Sequence, residues 1–129
     1  MIHLDTNIVI AYFNGNKMIM ENIKSTIDKI SISSIVIAEL DYGAKSSQNA
    51  KKNLEKMYRF IDMIQVLNFD LECAKICGTI KSQLRNIGRP TGESDAMIAS
   101  VAIAHRAAIV TANKKHFENI EGLKIQEWL

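Results

Sequence analysis

The stretch Ile2-His3-Leu4-Asp5-Thr6-Asn7 decides the fold. Ile2 and Leu4 are bulky and apolar, and the spacing predicts a short buried strand over residues 2–5. Thr6 and Asn7 are both good helix N-caps, and Ile8 to Phe13 can carry a first helix. Asp5 therefore stands where a strand hands over to a helix. In open α/β sheets, ligands bind at that carboxyl edge of the strands. Two readings of Asp5 stay open from this stretch alone: a ligand-binding carboxylate, or a cap for the helix that follows.

The rest of the chain repeats the alternation. Asn14-Gly15-Asn16 breaks the first helix, and Ile19, Ile23, Ile27 and Ile30 predict a second over about residues 17–29. Ile30-Ser31-Ile32-Ser33 reads as a strand, and Ser34 can cap a third helix running to Lys45. Leu54, Met57, Tyr58 and Ile61 mark a fourth helix, and Ile64-Gln65-Val66-Leu67 a third strand. Asp70 opens a fifth helix, which Gly88 ends. Ser94 is the expected cap of an alanine-rich sixth helix. Ala108-Ile109-Val110-Thr111 and Leu123 to Trp128 supply the last two strands. Strands separated by helices force a parallel sheet with helices on both faces.

Composition narrows the class. The chain has 129 residues, 47% hydrophobic and 23% charged, the balance of one globular domain. A net charge of +2 permits a nucleic-acid partner without demanding one. No apolar run is long enough to span a bilayer, and no basic-then-apolar leader precedes the first strand, so a cytoplasmic protein without membrane contact is expected. Cys73 and Cys77 lie at helical spacing with no further ligand nearby and read as small core residues.

Three acids are the candidates for chemistry. Besides Asp5, Glu39 falls on the apolar face of the third helix, where a carboxylate is expensive unless paired. The bland alternative puts it at the edge of the stripe, reaching water. Asp95 falls in the first turn of the sixth helix, where the dipole keeps it ionised; capping alone would explain it. Asp5 and Asn113 are expected at the same sheet edge. Converging carboxylates need a cation, and oxygen ligands select magnesium or manganese over zinc. Such a centre activates water and stabilises charge on phosphorus. No Gly-rich phosphate loop and no Ser-His-Asp or Cys-His arrangement is present.

These pieces in their order resemble the PIN-domain ribonucleases, above all the VapC toxins of type II toxin–antitoxin modules. The resemblance runs through Asp5-Thr6-Asn7, Ser34 to Gly43 around Glu39, Gly88 to Ala99 around Asp95, and Ile109 to Asn113 followed by His116-Phe117. Gly122 to Trp128 resembles the way those chains end. It implies a single PIN domain over residues 1–129: an α/β fold, a three-layer α/β/α sandwich with a parallel five-stranded sheet. It implies a Mg2+- or Mn2+-dependent endoribonuclease that cleaves RNA, transfer RNA being the expected class, and arrests translation. It also implies a VapB-type antitoxin partner and a homodimer.

Carried over by residue, Asp5 and Asp95 match the family's metal-binding aspartates and Glu39 its glutamate. Thr6 and Thr111 would hold Asp5 by hydrogen bonds. A further acidic position of many members is Asn113 here, whose amide brings no charge; Glu93 could compensate, but its position favours a solvated first-turn acid. Arg85, Arg89, Lys114 and Lys115 lie where RNA could be guided. Two rival readings remain: a phospho-acceptor receiver domain and a PIN fold that only binds. The receiver needs an acidic pair after the first strand, and only Asp5 stands there.

Overall fold

The computed structural model describes residues 1–128. Strand β1 (Ile2–Leu4) is followed by α1 (Thr6–Phe13), α2 (Lys17–Ser25) and β2 (Ile30–Ser33). Then come α3 (Ser34–Lys45), α4 (Ala50–Ile61), β3 (Gln65–Leu67), α5 (Leu71–Asn86) and α6 (Glu93–Ala104). Strands β4 (Ala108–Val110) and β5 (Lys124–Gln126) complete the α/β fold, with short 3-10 turns at Ile27–Lys29 and Lys114–His116. The five strands form one parallel sheet in the order β3-β2-β1-β4-β5.

That order places the site. The chain starts at the central strand, runs outward through β2 and β3, then returns to β1's other flank with β4. The strand order reverses between β1 and β4, and in doubly wound sheets the ligand crevice opens at that point, beyond the carboxyl ends. Asp5 directly follows β1, and Thr111 directly follows β4.

The core explains why the short strands hold. Leu4, Ile8, Val9, Ile32, Val36, Ile98, Ile109 and Phe117 are fully or almost fully buried. Each contributes about 1.5–3 kcal/mol relative to an exposed side chain. The Ile-Ser alternation of β2 would suit a sheet with one wet face, yet all four residues are buried. Both faces are covered, as a parallel sheet requires. The serines tolerate this because their hydroxyls are used. Ser31 Oγ donates to the Ile2 carbonyl at 3.2 Å, and Ser33 Oγ accepts from the Val36 N–H at 3.1 Å.

Several boundaries differ from the sequence reading for local reasons. Helix α1 begins at Thr6, because Asp5 itself is the cap. Helix α3 is capped by Ser33; Ser34 Oγ instead accepts from the Phe69 N–H at 3.1 Å, tying β3's exit to α3. Helix α2 stops at Ser25, where the Thr26 hydroxyl donates back to the Asn22 carbonyl at 2.6 Å and the chain tightens into the 3-10 turn. Helix α6 begins at Glu93 behind Gly92, so Ser94 is inside the helix. Strand β5 spans Lys124–Gln126 only, flanked by paired backbone on one side. Asp70 caps α5 by accepting from the Cys73 N–H at 3.0 Å, and Gly88 follows its end at φ 69°, both as expected. Cys73 and Cys77 are buried free thiols, and burial pushes both thiols above their ordinary pKa.

Candidate metal centre

Asp5 is nearly inaccessible, 4% exposed, yet carries two engaged oxygens. Oδ1 accepts from the Thr6 N–H at 2.8 Å, which caps α1. Oδ2 accepts from the Thr111 hydroxyl at 2.7 Å. Thr111 Oγ1 in turn accepts from the Asn113 N–H at 3.0 Å. Asp5 thus caps the helix, and the Thr111 hydroxyl fixes its other oxygen at the switch point. Burial raises its pKa, while Thr111 and the Thr6 N–H pull it down; the nearby charge of Asp95 raises it again and His116 opposes that. A buried carboxylate that feels a second carboxylate is the situation a cation relieves.

Asp95 occupies the first turn of α6, partly exposed. Its Oδ2 lies 3.1 Å from His116 Nδ1. The imidazole comes from the 3-10 turn after β4, a neighbour the sequence reading did not assign a role. The His116-Phe117 pair was the available signal: Phe117 is fully buried and fixes where the preceding residue emerges.

Glu39 is exposed rather than buried on the apolar face of α3. The helix register puts Val36 and Leu40 into the core and leaves Glu39 at the rim, so no desolvation cost arises. It is nevertheless joined to the site, because the Thr6 hydroxyl donates to Oε1 at 2.8 Å. Thr6 therefore bridges the two acids, with its N–H on Asp5 and its hydroxyl on Glu39. Among the described residues no three His, Cys, Asp or Glu side chains converge closely enough, as placed, to enclose an ion. The arrangement is an open set of carboxylates around Thr6, Thr111 and His116. Its donors are mostly oxygen, the chemistry that suits hard divalent cations.

The weaker candidates separate. Asn113 stands at the same edge and engages Thr111 through its backbone. Glu93 is exposed and ion-paired with Lys81 of α5, which lowers its pKa. Lys114 pairs with Glu127 at 3.1 Å. Arg85 lines a cavity with Lys81 and Pro90 that does not include Asp95. Arg89 and Lys115 share a cavity of about 500 Å3 with Asp95, Thr91 and His116. On the other flank, Glu39 borders a groove of about 350 Å3 lined by Ile10, Phe13, Leu40, Lys56 and Met57. Asp95 thus lines a pocket that carries Arg89 and Lys115, and Glu39 lines a largely apolar groove.

The model of the PIN domain family matches residues 2–123, and the chain belongs to that family. It is 38% identical over 126 residues to the tRNA(fMet)-specific endonuclease VapC of Shigella flexneri, covering 97% of this chain and 96% of that one. It is 34% identical over 133 residues to the ribonuclease VapC2 of Rickettsia felis, with the same coverage. The DNA-bound VapBC of Salmonella typhimurium superposes with a TM-score of 0.94 at 35% identity, over 99% of this chain and 98% of that one. Family membership removes the receiver-domain reading. No helix among the described residues is long and apolar enough to cross a membrane.

Proposed function

We propose that this chain is a divalent-metal-dependent endoribonuclease and the toxin of a toxin–antitoxin pair, with transfer RNA as its substrate class and translation arrest as its result. The observation that carries the reading is Asp5: a buried carboxylate braced by Thr111 and Thr6 at the switch point and repelled by Asp95. The VapC relatives named as ribonuclease and tRNA(fMet)-specific endonuclease support it. Residues 1–129 act as a single PIN domain, and the protein works in the cytoplasm, where its RNA is.

Asp5 and Asp95 would hold Mg2+ or Mn2+, with Glu39 completing the site. The bound cation would supply activation of water and stabilisation of charge on the phosphoryl group. The residues do the rest. Thr111 and the Thr6 N–H keep the Asp5 carboxylate from rotating. Glu39 has Oε1 occupied by Thr6, which leaves Oε2 to receive a proton or a ligand. Arg89 and Lys115 guide the RNA backbone into the cavity beside Asp95. Asn113 adds no charge, so we assign one cation to the free enzyme.

The structural relatives titled VapBC support a VapB-type antitoxin as the partner, and our reading has it cover this edge. The groove beside Glu39 offers it Ile10, 43% exposed, and Phe13. A homodimer is the proposed assembly. The test is incubation of the purified chain with transfer RNA and Mn2+, with chelator, Asp5→Asn and Asp95→Asn as the arms. Cleavage abolished in all three arms is the expected result. Wild-type rates in either variant would overturn the assignment, and transfer of phosphate from acetyl phosphate to Asp5 would favour a different chemistry.

A further inference from the structure

We propose that His116 is a positioning residue for Asp95, so that the single turn after β4 orients both metal-binding aspartates. The inference rests on the metal-dependent reading above and assigns a role to a residue outside its ligand set. Thr111, at the start of the turn, holds Asp5 Oδ2 at 2.7 Å. His116, at its end, stands with Nδ1 3.1 Å from Asp95 Oδ2. Asp5 follows the central strand and Asp95 lies in the first turn of α6, so the two carboxylates come from different elements.

The turn is built to hold its shape. The Asn113 N–H closes onto Thr111 Oγ1 at 3.0 Å, and the His116 N–H donates to the Asn113 carbonyl at 2.9 Å. Phe117 is fully buried immediately behind His116. From the side of α6, the Thr91 hydroxyl donates to the His116 carbonyl at 2.8 Å, so the segment before Asp95 is pinned to the residue that touches Asp95. A half-exposed imidazole–carboxylate contact contributes little to stability. Its consequence lies in the direction a ligand points. Partners that orient metal ligands from behind typically govern metal affinity 10- to 100-fold.

The experiment is calorimetric titration of Mn2+, Mg2+ and Co2+ into the wild type, His116→Ala and His116→Asn. An asparagine amide can place an N–H near the position of Nδ1. His116→Ala should weaken all three ions by roughly tenfold or more, with an unchanged unfolding midpoint, and His116→Asn should recover most of the loss. Unchanged affinity in His116→Ala, with the wild type binding normally, would overturn the positioning role alone. Selective loss of Co2+ binding would also overturn it, because a nitrogen ligand favours the softer ion and His116 would then be a direct ligand. A wild type that binds none of the ions would overturn both this role and the metal-dependent reading.

Discussion

Thr111 and Asp5 lie 106 positions apart in the chain and meet through a hydrogen bond of 2.7 Å. The bond joins the ends of β1 and β4, the two adjacent strands between which the sheet's order reverses. It ties the first strand of the chain to one of the last, directly at the carboxylate that the proposed chemistry uses.

Replacing Thr111 tests how much of the site depends on that bond. Thr111→Val keeps the shape but removes a donor to Asp5 and an acceptor for the Asn113 N–H. Loss of about 2 kcal/mol in stability is expected, since a buried carboxylate loses a partner. Thr111→Ser should restore most of it. Denaturant unfolding of the three proteins checks this, and equal midpoints for Thr111→Val and wild type would contradict it.

Asp5 gives a pH signature. Its folded pKa is raised above the ordinary value of 3.8, chiefly by burial. A raised acid contributes stability below its unfolded pKa and loses it as pH rises through the folded pKa. In chelator, wild type should therefore fall behind Asp5→Asn as pH climbs from below 3.8 through that raised value, and remain behind at neutral pH. Mn2+ should stabilise only the wild type. Parallel stability curves for the two proteins across that range would refute the account.

The four basic candidates should behave unequally. Arg89 and Lys115 share the Asp95 cavity, whereas Lys114 is held by Glu127 and Arg85 lines a separate cavity. In an Asp5→Asn background, binding of single-stranded RNA should weaken in Arg89→Ala and Lys115→Ala. The slope of log affinity against log salt should drop by about 0.7–1 for each. Lys114→Ala should change neither quantity. Fluorescence anisotropy over a salt series decides, and equal effects at Lys114 and Arg89 would sink the distinction.

His3 sets the acid limit. It is fully buried in β1, with Nδ1 2.8 Å from Ser31 Oγ and Nε2 without a hydrogen-bond partner among the described residues. Burial, aided by His105, lowers its pKa from 6.5 to about 4. A depressed histidine contributes stability that is present above 6.5 and lost as pH falls toward 4. That loss amounts to about 3 kcal/mol at roughly 1.4 kcal/mol per unit. His3→Gln cannot titrate and should show a flatter profile over the same range. Denaturation at several pH values checks it; identical slopes would assign the acid sensitivity elsewhere.

The element order was legible in the sequence because it follows from local rules: isoleucine spacing, the break at Asn14-Gly15-Asn16, the cap at Asp70, the glycine after α5. Asp5, Glu39 and Asp95 were legible as candidates through motif order. Element ends were less so, because Ser33 and Ser34, or Asp5 and Thr6, are equally good caps and tertiary partners choose between them. What the chain alone could not determine is which groups meet. Whether Glu39 is buried depends on the register of α3 against the sheet. Whether Lys114 or Lys115 faces the acids depends on a tight 3-10 turn and on where β5 places Glu127. His116 reaches Asp95 only because β4 packs beside β1 and Phe117 anchors the turn. Periodicity and capping are nearest-neighbour properties and are written locally. The distance between two side chains from different elements is set by packing, and is decided only when the core closes.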